Sequence, residues 1–400
     1  MVHGARFRSV AKRYGELLEE SRRSPMGVRC VGERKGDGHV GRVSAGRILG
    51  FSAVTLAVLG VVIEASSSGT SSSSLKAPGA PPKACAKFAA ENGSDSSRGT
   101  LRAPFRTAER LLRALRGGQT GCLRAGGYTT SKRFVLDFSK SNVAVIGYPG
   151  ERAVLQGTVV VRSGANDVRL ARVTVEGLGG ANTIQVYGTD FVLEDSEITN
   201  GWRGRSCLIL GDSAAGTAVR PLIRRNRFHE CGSLANGNQD HAIYANHVVG
   251  GRISDNRFWD TAAYAIHLYP SAQRMLVSGN TIDGGAPSVR GGIVIGGDSD
   301  DASNDNLVEH NVVAYAATYN IDASWEGPVG TGNIARANCL WDGAEGDIDT
   351  DGLLPDANVV GDPLFVNRAR HDLRLGASSV CRAVVSAPNA GRRSVAKAGG

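Results

Sequence analysis

Side chains that can move protons occupy the same position in three of six short, similar runs of residues. The runs are TIQVY, CLILG, AIYAN, AIHLY, GIVIG and NIDAS. Successive side chains of a strand point to opposite faces, so each run offers an inward residue and an outward neighbour. In chain order the outward positions are Gln185, Ile209, Tyr244, His267, Val294 and Asp322, with Tyr187, Asn246, Tyr269 and Ser324 two residues further on. Tyrosine, histidine and carboxylate groups serve as acids and bases, so this surface could carry catalysis.

The elements that position these residues are repeated strands. The inward residues of the six runs, which should stack into an apolar column, are Ile184, Leu208, Ile243, Ile266, Ile293 and Ile321. A second column aligns Ala171, Asp195, Asn226, Asn256, Asn280, Asn311 and Asn338, at spacings of 24, 31, 30, 24, 31 and 27 residues. Each spacing fits one coil of a parallel β-helix with loops of variable length. Asparagine tolerates left-handed backbone at sharp turns and its amides can stack, so the second column predicts structure rather than chemistry.

The chain before the repeats predicts an exported protein. Residues 1–47 form a basic region expected in the cytoplasm, and 48–65 contain the uncharged run ILGFSAVTLAVLGVVI, expected to be a signal peptide or a transmembrane anchor. Both readings remain open. Residues 66–83 are rich in Ser and Pro and predict a linker, 84–385 the folded domain, and 386–400 a disordered tail.

One helix is expected at the start of the domain. Ala108, Leu111, Leu112 and Leu115 have helical spacing, and Gly117 and Gly118 follow them. This helix should cap the open end of the solenoid.

Charge argues against a nucleic-acid partner. The net charge is +8, but the first 65 residues alone hold 11 Lys and Arg against 6 Asp and Glu. The later residues are nearly balanced, so the domain lacks the basic surface that nucleic acids require.

Six of the seven cysteines follow the apolar run, and only Cys30 precedes it. An exported domain meets oxidising conditions, which favours disulfides. The order in sequence suggests the pairs Cys85–Cys122, Cys207–Cys231 and Cys339–Cys381. Buried free thiols are the alternative.

The repeats and both ends of the domain resemble the right-handed parallel β-helix repeat family, relatives of pectate lyases and of secreted bacterial polysaccharide lyases and epimerases. The entry AAENGSDSSRGTLRAPFRTAERLLRALRGGQTGCLRAGGY and the exits DPLFV and DLRLGASS carry the likeness, which covers about residues 84 to 381. It implies an all-β right-handed solenoid with extended glycans bound along its outer face. The fold hosts lyases, hydrolases, epimerases and non-catalytic binders, so the likeness leaves the activity open.

On this surface the sequence predicts a catalytic set and a substrate-binding set. The catalytic candidates are His267, His241, Tyr244 and Arg274, and the substrate-binding candidates are Tyr269, Asp322, Arg203, Arg205 and Trp325. Asp240 precedes His241 and could orient it as a base, although a loop-capping hydrogen bond explains the pair equally well. Outward Tyr and His residues can also be ordinary surface residues.

β-Elimination needs a base for the proton beside a uronate carboxylate and a cation for that carboxylate. No lysine occurs from Ser141 to Ala396, so the base should be His, Tyr or Arg unless Lys132 or Lys140 reaches the groove. Arginines are then the candidate cations.

Carboxylates provide two further interpretations. Hydrolysis would need a set facing one groove, which Asp298, Asp300, Asp301, Asp322 and Glu326 could supply. Within the loop GGDSDDASNDN, Asp298, Asp300 and Asp301 could bind Ca²⁺, although the loop matches calcium motifs loosely and a solvated loop is the alternative.

We therefore expect an extracellular protein that acts on an acidic, uronate-containing polysaccharide, with a lyase favoured over a hydrolase. A non-catalytic glycan-binding or structural β-helix is the alternative. The partners would be the polysaccharide and, if the apolar segment is retained, the membrane.

Overall fold

Three parallel β-sheets wind in successive coils around one apolar core. The computed structural model describes residues 85–386 except 237, 238, 299, 324–326 and 328. Each coil adds one strand to each sheet in the same order, so every strand pairs in parallel with its equivalents in adjacent coils. This is the parallel β-helix that the repeat spacing predicts.

The first sheet has eleven strands: Cys85–Ala89, Gln119–Leu123, Val143–Gly147, Val168–Ala171, Val192–Glu194, Leu222–Arg224, Arg252–Ser254, Leu276–Ser278, Leu307–Glu309, Asn333–Arg336 and Leu353–Asp356. The second contains Gly126–Tyr128, Ala153–Gln156, Thr174–Glu176, Glu197–Thr199, Arg227–Cys231, Arg257–Thr261, Thr281–Asp283, Val312–Ala314, Cys339–Trp341 and Val359–Val360. The third contains Phe134–Phe138, Thr158–Val161, Ile184–Val186, Leu208–Leu210, Ile243–Val249, Ile266–Gln273, Ile293–Ile295, Tyr319–Asp322 and Gly346–Ile348, with Ala218–Val219 paired beside Ile243–Val249.

The apolar column predicted for the third sheet is confirmed. The strand register aligns Ile184, Leu208, Ile243, Ile266, Ile293 and Ile321 in successive coils, and each is 0% exposed. Stacking of like side chains makes one continuous core that no single coil could bury.

The asparagine column forms a buried ladder between the first and second sheets. Each backbone N–H and side-chain amide donates to the amide oxygen one coil later, through Asn226, Asn256, Asn280, Asn311, Asn338 and Asn358. The expectation that these asparagines adopt left-handed backbone is wrong. The left-handed residues are the ones just before them, such as Arg225 and Asp255.

The predicted column is also out of register in its first two coils. Leu170 pairs with Leu193, which pairs with Ile223, so Val173 and Ser196, rather than Ala171 and Asp195, align with Asn226. Similar residues recur at neighbouring positions, so an alignment of the sequence alone can be displaced by one or two residues. Only the observed strand pairing decides the register.

Helix α1 (Ala108–Ala114) closes the N-terminal end of the core, as predicted. The hydroxyl of Thr107 accepts a hydrogen bond from the backbone N–H of Arg110 at 3.1 Å, which caps the helix. Ala108, Leu111 and Leu112 are buried in the core.

The C-terminal segment folds back over the second sheet. It contains a hairpin of strands Phe365–Asn367 and Asp372–Leu375, a 3₁₀ turn at Arg368–Arg370 and helix α2 (Cys381–Ser386). Arg368 pairs with Asp283 at 2.8 Å and lies 3.7 Å from the ring centre of Tyr315. A further 3₁₀ turn, Leu234–Asn236, lies in the loop that leads from the second to the third sheet.

The three predicted disulfides, Cys85–Cys122, Cys207–Cys231 and Cys339–Cys381, are confirmed. Among the described residues no helix is both long and apolar enough to cross a membrane. The predicted basic region, apolar segment and linker, and the tail from 387 onward, lie outside the described residues.

Removing the Cys207–Cys231 disulfide should lower the stability of the domain. The bridge closes a sequence separation of 24 residues, so the double variant C207A/C231A should lose about 3 kcal/mol, because its unfolded chain is less constrained. Guanidinium unfolding under oxidising conditions measures the difference. The control Cys30→Ala should leave the midpoint unchanged, and an unchanged midpoint in the double variant would contradict the expectation.

Candidate functional site

A groove of about 410 Å³ lies on the outer face of the third sheet. Loops that lead from the second sheet into the third frame it. Its lining consists of Asn182, Arg205, Ser206, Ile209, Asp212, Asn236, Gln239, Asp240, His241, Tyr244, Asn246, His267 and Tyr269. The structure therefore brings together five of the predicted site residues: Arg205, His241, Tyr244, His267 and Tyr269.

The predicted order of outward residues is correct, but their predicted exposure is not. Tyr244 pairs with His267, and His267 with Val294, which pairs with Asp322. His267 is 1% and Asp322 3% exposed, and Val294 is fully buried. These side chains point away from the core and are nevertheless covered. Tyr244 and Tyr269 are half-buried and reach the groove.

A pair of buried histidines lies at the floor of the groove. His241 comes just before one strand of the third sheet, and His267 lies on the next coil. His267 Nδ1 and His241 Nε2 are 2.8 Å apart, with the rings nearly perpendicular. Burial lowers the pKa of His241 to about 3. Burial, together with His241, lowers the pKa of His267 well below its usual range. Both rings are therefore uncharged at neutral pH, and such a ring can accept a proton.

Two tyrosine rings lie against this pair. The ring centre of Tyr269 is 5.2 Å from that of His267, and Tyr244 is 5.3 Å from His267 and 5.4 Å from His241. The two tyrosine rings are 6.5 Å apart and 15° from parallel. Their position in the groove offers aromatic surface beside a base, an arrangement suited to holding a sugar ring.

Asp322, a predicted substrate-binding residue, lies two coils beyond His267 in the same outward column and is not part of the groove lining. The hydroxyl of Tyr264 donates a hydrogen bond of 2.6 Å to Asp322 Oδ2, and both residues are buried. Burial raises the pKa of Tyr264 above its ordinary value, because the charged phenolate would lose its hydration. The ring of Tyr264 lies 5.7 Å from that of His267 and 6.0 Å from that of His241, so it packs against both histidines.

Asp240 and Arg205 lie beside the histidines. The Asp240 carboxylate interacts with the side chain of Asn236 and the backbone of Ser233, while Arg205 is exposed in the groove lining. Burial raises the pKa of Asp240, and the charge of Arg205 offsets only part of that rise. The backbone N–H of His241 donates to Ser206 Oγ at 3.0 Å, which fixes the start of its strand.

Two predicted arginines do not line this groove. Arg203 is exposed and its Nε donates to the backbone oxygen of Asn200. Arg274 is exposed in left-handed backbone one residue beyond the strand Ile266–Gln273. Trp325, Ser324 and Glu326 lie outside the described residues.

The acidic loop has a structural arrangement of its own. Asp298 Oδ1 accepts the backbone N–H groups of Asp300 and Asp301 at 3.0 and 2.8 Å, a hydrogen-bonding pattern that stabilises the loop. The described part of the chain contains no group of three His, Cys, Asp or Glu residues that could hold a metal ion.

Sequence reasoning missed Ser206 and Tyr264. Both align with His241, two positions before the inward column, since strand hydrogen bonds join Cys207 to His241 and Ala242 to Tyr264. The alignment that shows the outward residues also contains this column of Ser206, His241 and Tyr264, so the repeat pattern itself is the signal that could have identified them.

The histidine pair should make the domain less stable in mild acid. Both histidines have a lower pKa in the folded protein than in the unfolded chain. Between pH 6.5 and these lowered pKa values the unfolded chain therefore binds more protons than the folded protein. The free energy of unfolding consequently falls as the pH drops below about 6.5. At pH 5, His241 alone should cost about 2 kcal/mol relative to pH 7.5. Urea unfolding at the two pH values tests this, and a double variant, H241N/H267N, should show a smaller difference. Equal pH dependence in both proteins would contradict the assignment.

The stacked coils and the groove on one outer face define the class: a parallel β-helix solenoid. Residues 157–338 match the family described as "Right handed beta helix region". No curated protein compared with the sequence matches it.

Solved structures with similar backbones include three polysaccharide-related proteins. Pectate lyase Pel9A is 14% identical, with a TM-score of 0.42 over 74% of this chain and 88% of its own. A rhamnogalacturonan lyase is 12% identical, with a TM-score of 0.41 over 72% and 94%. The A-module of mannuronan C-5 epimerase AlgE4 from Azotobacter vinelandii is 12% identical, with a TM-score of 0.39 over 61% and 87%.

Proposed function

We propose that this protein is an extracellular carbohydrate-active enzyme that cleaves a uronate-containing polysaccharide by β-elimination in the groove of the third sheet. The observation that carries the proposal is the uncharged pair His241–His267 beneath the rings of Tyr244 and Tyr269. A neutral imidazole has a free nitrogen lone pair that can accept a proton, and the groove contains an arginine to pair with a carboxylate.

In this proposal the groove residues have distinct functions. Tyr244 and Tyr269 pack on the sugar, Arg205 pairs with the uronate carboxylate, and His267 removes the proton beside that carboxylate. The contact with His241 orients His267 and shares its proton. The absence of lysine from Ser141 to Ala396 is consistent with a histidine base.

The proposed location is outside the cytoplasm. Three disulfides support an oxidising compartment. The apolar run within residues 48–65 would deliver the domain there, and would tether it to the membrane if it is retained.

A panel of acidic and neutral polysaccharides tests the activity. The purified full-length chain is incubated in detergent with each substrate, while ultraviolet absorbance of unsaturated uronate and new reducing ends are followed in parallel. Both signals together support the lyase. Reducing ends alone would overturn β-elimination in favour of hydrolysis by carboxylates.

The second candidate is a non-catalytic glycan-binding protein. It is favoured by the burial of the two histidines, which are 2% and 1% exposed and offer a substrate little access. Binding by calorimetry with neither signal on any substrate would support it.

A further inference from the structure

Besides the two histidines, the groove contains a third buried titratable side chain, which has no function in the elimination as proposed above. Asp240 lines the groove and is 6% exposed. Among the described residues, its Oδ2 has no hydrogen-bond partner. A buried carboxylate oxygen that accepts no hydrogen bond costs free energy. A protonated carboxyl at the same place can instead donate a hydrogen bond to an acceptor.

We propose that Asp240 is the proton donor of the groove and delivers its proton to the glycosidic oxygen that leaves. This inference rests on the proposed β-elimination. It differs from the expectation that Asp240 orients His241, since it gives Asp240 a contact with the substrate.

The proposed step balances. As His267 removes the proton beside the carboxylate, the electron pair of that C–H bond forms the new C=C bond. The bond from the neighbouring carbon to the glycosidic oxygen breaks, and its electron pair stays on the oxygen, which takes the proton of Asp240. The histidine then releases its proton and Asp240 regains one from water.

The surroundings of Asp240 and of the histidine pair support Asp240 as the acid and His267 as the base. Burial raises the pKa of Asp240 and lowers the pKa values of the histidines. An environment that raises the pKa of a carboxyl and lowers the pKa of a nearby imidazole favours the carboxyl as the acid and the imidazole as the base. The groups that titrate or carry charge in the groove are Arg205, Asp212, His241, Tyr244, His267 and Tyr269. Of these, Arg205 acts against protonation of Asp240 and only partly offsets burial.

The test is Asp240→Asn in the full-length chain. Asparagine keeps the shape of the side chain and an acceptor oxygen but cannot give up a proton. On the natural polysaccharide kcat should fall about 10² to 10³-fold, and the alkaline decline of kcat that reports the acid should disappear. A synthetic uronate that carries nitrophenol as an ether on the carbon next to the one that loses its proton expels nitrophenolate without an acid, so the variant should cleave it at nearly the wild-type rate.

Each outcome decides between distinct alternatives. If Asp240→Asn keeps the wild-type kcat, or if its kcat falls by the same factor on both substrates, the assignment of Asp240 as proton donor is overturned, while the elimination itself still stands. A wild-type protein that forms no unsaturated product refutes the proposed function itself. The control Asp255→Asn changes an exposed carboxylate outside the groove and should behave as wild type.

A second measurement needs no active variant. If Asp240→Asn does not fold, carbon-13 titration of the aspartate carboxyls in the wild-type protein should show one buried carboxyl that remains protonated above the ordinary range. Ordinary titration of every aspartate overturns the proposal.

Discussion

His267→Asn should reduce kcat on the cleaved polysaccharide about 10³-fold, because asparagine can contact His241 but cannot accept the substrate proton. His267 is 1% exposed and lies 2.8 Å from His241, so the substitution keeps a polar group at a buried site. KM should change little, since Tyr244, Tyr269 and Arg205 remain to hold the sugar. Initial rates of unsaturated-uronate formation give both constants.

The matched control is the same substitution at His310. That residue lies in the turn between the first and second sheets, in left-handed backbone that asparagine tolerates. His310→Asn should keep the wild-type kcat, and circular dichroism should show that both variants are folded. Activity of folded His267→Asn within twofold of wild type would remove His267 from the catalytic set.

Asn280→Ala should destabilise the folded domain strongly, by about 4 kcal/mol. The Asn280 side chain accepts from the backbone N–H and the amide of Asn256, and donates to the oxygens of Ile253 and Asn311. Alanine would leave these groups short of partners at a site that is 0% exposed, and each unmet buried group costs about 1–3 kcal/mol. Guanidinium unfolding of both proteins measures the loss.

Asn358→Ala is the comparison for this effect. Asn358 ends the ladder and makes similar contacts with Asn338 and Ala335, but it is only half-buried. Water can replace its hydrogen bonds, so the cost should be about 1 kcal/mol. Equal losses in the two variants would show that burial does not set the energy of the ladder.

The local sequence predicts the architecture because a solenoid is stabilised mainly by contacts between adjacent coils. The strands of each coil pair only with strands of the coils before and after it, so a repeated pattern of inward residues such as Ile243 and Ile266 predicts both strand and stacking order. The disulfides were predictable for a related reason, since each cysteine pair follows the order of the chain.

The candidate site was predictable only in part. Alternation within a strand indicates that Tyr244 and His267 point away from the core, and stacking places them side by side. The sequence alone therefore determined the fold, the apolar column and the neighbourhood of Tyr244 and His267.

Only the tertiary structure decided which of these outward residues meet solvent and which are covered. The loops between the second and third sheets vary in length and cross the outer face, so the burial of His267 and Asp322 depends on chain segments that no strand pattern describes. The pairing of His241 with His267 and the bond of Tyr264 to Asp322 follow from that covering. Burial in turn sets the protonation of the groove, because the cost of removing a charge from water depends on everything that surrounds it.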